Sequence, residues 1–192
     1  LVLNMKTKYI ILSAPSGSGK STIAFFLLNE IESLSFSVSS TNRKKRKNEN
    51  EGIDYYFISR EKFKSHIESD DFIEWEEVYI NHYKGTLKSE IDRLIKEKRN
   101  IIFDVDVSGG INLKKYFGNN ALSVFIDVPN LEILKNRLLV RGSENHKSLI
   151  ERIEKSKSEI KMKDEFDVVI MNDRMSRVKK EILTIVKNFI KK

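Results

Sequence analysis

The stretch Ser13-Ala-Pro-Ser-Gly-Ser-Gly-Lys-Ser-Thr22 has the residue types and spacing of a loop that holds the phosphates of a nucleoside triphosphate. Such a loop must turn successive backbone N–H groups toward one anion, and Gly17 and Gly19 supply the conformations and close approach that a side chain would block. The N-terminus of a following helix adds its positive end. Lys20 is then placed to reach the β- and γ-phosphates, Ser21 offers its hydroxyl to Mg2+, and Thr22 starts the helix. Ala14 stands where the full motif has Gly. A Gly- and Ser-rich surface loop is the alternative, and only the flanking elements can decide between the two.

Those elements are present. Tyr9-Ile-Ile-Leu12 reads as a buried strand, and Ile23, Phe26, Leu27 and Ile31 recur at helical spacing. Phe36 to Thr41 alternates like a half-buried strand. A polar run from Asn42 to Gly52, with Arg43-Lys-Lys-Arg-Lys47 inside it, reads as a solvated loop. Tyr55–Ile58 and Phe72–Tyr79 are β-prone, separated by a helical stretch carrying Phe63 and Ile67, and Thr86 is placed to cap the next helix. From Asn100 the pattern becomes α/β alternation. Strand 101–105 is followed by a turn at Gly109-Gly110, strand 123–128 and a helix over 130–141 with Arg137 and Arg141 one turn apart. A charged helix to about Met162, strand 167–171 and a final amphipathic helix complete the chain. Five strand-like runs joined by helices predict a parallel sheet covered on both faces, with ligands beyond the carboxyl ends of its strands.

The 192 residues suit one folded unit, and 40% hydrophobic with 33% charged residues fits a soluble globular chain. No window approaches the roughly 18 apolar residues of a membrane span. The leading Leu-Val-Leu-Asn-Met-Lys is too short for a signal peptide, and Met5 is the expected functional start. Absence of cysteine excludes disulfides, thiolate metal sites and Cys nucleophiles, and fits a reducing, cytoplasmic setting. A formal charge of +7 favours acidic partners, among them nucleotides, nucleic acid and anionic membranes, without choosing one. The basic run 43–47 has no interleaved aromatics, which argues against nucleic acid.

Phe36-Ser-Val-Ser-Ser-Thr-Asn-Arg43, Asp54-Tyr55, Phe72-Ile-Glu-Trp75, Gly85-Thr86, Asp104-Val-Asp106, Arg137 through Arg141-Gly142, Arg152 and Asn172-Asp173 stand in the order and nearly the spacing of guanylate kinases. The chain resembles that family from Tyr9 onward. The resemblance implies an α/β P-loop NTPase-type three-layer fold with a parallel five-stranded sheet. Residues 1–35, 96–140 and 163–192 would form the nucleotide-binding core, 36–95 a small α+β GMP-binding insertion, and 141–162 a helical lid. It implies Mg2+-dependent transfer of the ATP γ-phosphoryl group to GMP, and to dGMP as well.

By the same resemblance, Ala14, Pro15, Ser16, Gly17, Ser18, Gly19, Lys20, Ser21, Thr22 and Asn172 bind ATP. Ser39, Arg43, Arg46, Tyr55 and Tyr83 hold the GMP phosphate, and Glu74, Asp106 and Thr86 read guanine. Ser21, and Asp104 through water, serve Mg2+; Lys20, Arg137, Arg141 and Arg152 act on the transferring group. Two guanidinium forks, a hydroxyl and a phenol suit a phosphate dianion. ATP and GMP are the implied partners, with neither nucleic acid nor membrane. Besides Ala14, three departures stand out. Lys44-Lys45 replaces the usual Pro-containing approach to the second Arg. Ser108 stands where Gln is usual. An extra residue near His82-Tyr83-Lys84 leaves either Tyr83 or Lys84 as the second phosphate-binding group. A binding module without catalysis and a P-loop kinase with another acceptor are the rival readings, and the intact Lys20-Ser21 and retained arginines oppose the first.

Overall fold

The computed structural model describes residues 7–140 and 146–192. Arg141, Gly142 and the start of the expected lid therefore lie outside the described residues, as does Met5.

The core sheet is built from five short apolar strands: β1 (Tyr9–Ser13), β2 (Leu34–Phe36), β7 (Asn100–Val105), β8 (Ala121–Asp127) and β9 (Val168–Met171). Their order is β2-β7-β1-β8-β9, and every neighbouring pair is parallel. Parallel strands covered on both faces need apolar residues at consecutive positions, and β1 is buried along its whole length. Its Ile10 and Leu12 face α1 (Lys20–Glu30) and α7 (Met175–Ile190) through Ile23, Leu27, Val178 and Ile182. Its Tyr9 and Ile11 face the opposite layer, α3 (Lys88–Lys96) and α4 (Val107–Phe117), through Ile91, Leu94 and Leu113. The three layers leave β1 between two strands supplied later in the chain. The loop after β1 thus opens at the point where α/β sheets bind ligands.

A second sheet, ordered β4-β3-β6-β5, is carried by residues within the expected insertion. It comprises β3 (Ser40–Thr41), β4 (Tyr56–Phe57), β5 (Phe72–Tyr79) and β6 (His82–Leu87), with α2 (Arg60–Glu68) packed on it through Phe63. Ser59 caps α2 by accepting from the Lys62 N–H. Two further helices, α5 (Leu131–Val140) and α6 (His146–Ile160), pack together through Leu134, Leu138, Leu149 and Ile153. No helix among the described residues is long and apolar enough to cross a membrane.

Three local expectations are corrected. The alternation of Phe36–Thr41 is not one strand: the chain leaves the core sheet after Phe36 and joins the second sheet at Ser40. Thr86 does not cap α3; it is a buried strand residue whose hydroxyl donates to Glu74, and Leu87 holds the cap position. Gly109-Gly110 is no turn but the second half of the first turn of α4. A Cβ at Gly110 would lie 2.2 Å from Ser13 Oγ, so glycine is what lets α4 lie against β1.

Candidate active site

The loop between β1 and α1 bends as the sequence requires. Gly17 and Gly19 adopt φ of +90° and +93°, the left-handed region open to glycine. The Ser18 N–H donates to the Pro15 carbonyl at 3.2 Å and closes the turn. The loop is braced from behind. Asn172, 2% exposed, donates from Nδ2 to the Ser18 carbonyl at 2.7 Å. Arg137 donates to the same carbonyl at 3.3 Å and to the Asn172 carbonyl at 3.4 Å. The amide of Asn172, a residue expected to bind ATP, is thus buried against the loop.

At the front of the loop three residues form one corner. Lys20 Nζ lies 2.7 Å from Asp104 Oδ1 and also donates to the Val105 carbonyl. The Ser21 hydroxyl donates to Asp104 Oδ2 at 2.7 Å. Strand pairing creates this contact, since Asp104 lies beside Leu12 in the β1–β7 register. Burial opposes ionisation of Asp104, but Lys20 and Lys84 outweigh it and hold the carboxyl below its usual range. One carboxylate and one hydroxyl fit Mg2+, a hard cation that keeps several waters and takes further oxygens from substrate phosphates. The described residues hold no cluster of three acidic, His or Cys side chains that would bind a metal alone.

A cleft of about 230 Å3 runs from this corner to the second sheet. Arg43 and Tyr55 line it, with the guanidinium carbon 4.8 Å from the ring centroid. The run 43–47 is not uniformly solvated. Arg43 makes a two-pronged ion pair with Glu49, at 2.6 and 2.5 Å, and the Glu49 carboxylate also accepts from the Arg46 N–H at 2.9 Å. Glu49 thus shapes the loop that aims both arginines, while the Arg46 side chain reaches into the cleft 55% exposed. Ser39 is buried in the crossover from β2 to β3 and does not line the cleft, although it was expected at the GMP phosphate.

Beneath the cleft lies a buried polar pair: Thr86 Oγ1 donates to Glu74 Oε1 at 2.7 Å. Glu74 is only 7% exposed, so this strand carboxylate is turned away from solvent. Burial pushes its pKa up to about 7, against the Thr86 hydrogen bond and the Lys84 charge, which pull it down. α4 approaches closely enough that a Cβ on Gly109 would sit 2.8 Å from Glu74 Oε2. Asp106, at the N-cap of α4, faces the same cleft. Burial opposes its charge, yet Lys84, Lys20 and Lys155 hold it well below the usual carboxylate range.

The two candidates for the second phosphate-binding group lie on different faces of β6. Thr86 pairs with Glu74 and Lys84 with Glu76, so Lys84 shares the Glu74 face. Tyr83 pairs with Glu77, and its ring stacks on Phe63 at 5.5 Å with Trp75 at 6.3 Å. Tyr83 nonetheless lines the cleft with Lys84, so both candidates stand at its wall.

α6 closes the cleft from above. Arg152 Nη1 donates to Ser16 Oγ at 3.1 Å, on the phosphate loop itself. One turn on, Lys155 Nζ lies 3.1 Å from Glu76, 3.7 Å from Asp106 and 3.8 Å from Glu159. A single ammonium therefore joins β5, the end of β7 and α6. Burial raises the Glu159 pKa to about 7, only partly countered by Lys155. Lys155, Glu76, Glu159 and Glu49 were not singled out by sequence. Each depends on a partner distant in the chain or on loop closure, and no motif marks them.

The family model described as guanylate kinase matches residues 6–192. A guanylate kinase of Bacteroides thetaiotaomicron is 43% identical over 191 residues, covering 100% of this chain and 94% of its own length. One from Porphyromonas gingivalis is 45% identical over 187 residues, covering 97% and 100%. The crystal structure of guanylate kinase from Anaplasma phagocytophilum superposes with a TM-score of 0.79 at 27% identity, covering 99% of this chain and 89% of that one. With a phosphate-loop corner and two arginines lining one cleft, and with matches spanning its length, the chain belongs to the guanylate kinase family.

Proposed function

We propose that this chain, a guanylate kinase, transfers the γ-phosphoryl group of ATP to GMP, and to dGMP, across the cleft between the β1–α1 loop and the second sheet. The observation that carries this reading is the Lys20–Ser21–Asp104 corner sharing one cleft with Arg43, Arg46, Tyr55 and Asp106. The backbone of the loop binds the ATP phosphates, with Asn172 and Arg137 fixing its shape from behind. An oxygen of the GMP phosphate attacks the γ-phosphorus, the new P–O bond forms, and the bond to the β,γ-bridging oxygen breaks. Its electron pair leaves with ADP, so no side chain need become covalent.

Lys20 follows the negative charge toward the bridging oxygen, and Arg152 supplies a cation from α6 above the loop. Mg2+, held by Ser21 and through water by Asp104, would neutralise phosphate charge when bound. Arg43 and Arg46 hold the acceptor phosphate, and Glu74, Asp106 and Thr86 its base. Residues 36–95 act as the acceptor-binding region and 141–162 as a lid that excludes water. A coupled assay with ATP, Mg2+ and a panel of nucleoside monophosphates tests the reading. GMP must be the preferred acceptor, and equal turnover of AMP would overturn it.

A further inference from the structure

Lys84 is a cation placed where the motifs led us to expect a phenol. It lies on the cleft face of β6, and its ammonium makes one hydrogen bond, to the Asp104 carbonyl at 2.8 Å. Among the described residues it has no ion pair, so its two other N–H donors are available to a ligand. It sits 5.4 Å from the centroid of the Tyr55 ring, the same ring that Arg43 approaches at 4.8 Å. Two cations thus converge on one aromatic side chain at the wall of the cleft. Lys84 is also tied by its hydrogen bond to Asp104, whose carboxylate takes Lys20 and Ser21. It stands between the acceptor cluster and the donor corner.

We propose that Lys84 is an acceptor-phosphate-binding residue, contacting the acceptor phosphate on the side from which it attacks ATP. This assignment rests on the reading of the cleft as a guanylate kinase site. Bringing a phosphate dianion up to the ATP γ-phosphate sets like charges against each other, and a cation between them offsets that repulsion. A fixed lysine also makes phosphate recognition electrostatic, where a phenol would offer one neutral hydrogen bond. Lys84 therefore contributes to GMP binding and to the chemical step.

The test is calorimetric binding of GMP, guanosine and ATP–Mg2+ to the wild type and to Lys84→Met. A charge-assisted hydrogen bond in such a cleft is worth about 10- to 100-fold in affinity. GMP should weaken by that factor, while guanosine and ATP change by less than about threefold. Equal weakening of GMP and guanosine would place Lys84 at the base and overturn the proposal. Weakening of ATP alone, or of nothing, would overturn it too. Should Lys84→Met fail to fold, two milder variants read the same GMP-to-guanosine ratio: Lys84→Gln must lower it and Lys84→Arg must keep it. In the wild type, the 15Nζ resonance of Lys84 must move with GMP and stay in place with guanosine. Because these readouts need no turnover, the two readings separate. A wild type that binds GMP through Lys84 without phosphorylating it would sink the kinase function alone, and an active enzyme with an unaltered ratio in Lys84→Met would sink this proposal alone.

Discussion

Replacing Glu74 by Gln should stabilise the folded protein at alkaline pH while destroying its choice of guanine. The carboxyl is 7% exposed, accepts one hydrogen bond from Thr86, and titrates at about 7 instead of 4.5. Holding it ionised inside the fold therefore costs about 3 kcal/mol, at 1.36 kcal/mol for each factor of ten. The folded state binds this proton more tightly than the unfolded chain. Its contribution to stability accordingly falls as pH rises from about 4.5 to about 7, and is constant above. Gln keeps a carbonyl for Thr86 and carries no charge. Glu74→Gln should gain up to about 3 kcal/mol at about pH 8 and almost nothing at about pH 4.5.

The functional cost is the reverse. Guanine presents N1–H and its 2-amino group as neighbouring donors, and an ionised carboxylate accepts both. Adenine offers a lone pair at N1, which repels the carboxylate but accepts from a protonated one. The wild type should then prefer GMP over AMP in kcat/KM by at least about 10³ at high pH, and the ratio should narrow as pH falls through about 7. Lys84, Glu76 and Asp106 face the same carboxylate, and Glu159 titrates in the same range. The difference between wild type and Glu74→Gln isolates the Glu74 contribution from theirs. Urea unfolding at both pH values, with GMP and AMP kinetics across the range, checks the argument. Equal stability of the two proteins at both pH values, with an unaltered GMP to AMP ratio, would refute it.

Lys20→Ala should fold normally and lose most phosphoryl transfer, because the variant lacks the ammonium held between Asp104 and the phosphate loop; an unchanged kcat with ATP and GMP would contradict the mechanism. Arg152→Ala should lower kcat by about 10³ or more with little loss of ATP affinity, since it removes the cation that α6 sets on Ser16; stopped-flow binding and single-turnover rates separate the two effects. Arg137→Ala should act differently, loosening the loop through Ser18 and raising the ATP KM along with lowering kcat, as steady-state titration of ATP would show. Gly110→Ala should destabilise by about 1–3 kcal/mol, because the added Cβ meets Ser13 Oγ and α4 must move off β1; an unshifted melting temperature would show that the contact gives way freely.

The phosphate loop and the core sheet were legible because each is written in contiguous residues: an apolar strand, a glycine-bearing bend, a helix. What the sequence did not show depends on approach between distant segments. Gly109-Gly110 looks like a turn when read locally, yet these glycines bring α4 against Ser13 and Glu74. The alternation through Phe36–Thr41 is real on both sides of Ser37, but periodicity cannot say that the chain changes sheets there. Lys155 gave no signal at all, since its carboxylate partners come from β5, from the end of β7 and from its own helix.

The hairpin β5–β6 shows how local irregularity can leave a site intact. Tyr79 pairs with His82 across a tip made of Ile80 and Asn81, with Asn81 at φ +63° and Ile80 87% exposed. The pairing shifts register twice, between Glu77 and Tyr79 next to the tip and between Phe72 and Glu74 at the far end. Between the two, Glu76 faces Lys84 and Glu74 faces Thr86, in regular antiparallel pairing. Side chains on a strand alternate faces, so a register shift carried through this stretch would turn Thr86 away from Glu74. The two shifts bracket a regular stretch that holds the Glu74–Thr86 pair and sets Lys84 at the wall of the cleft. Lys84 thus stands at that wall beside Tyr55 while the pairing of Glu74 with Thr86 two residues on stays regular.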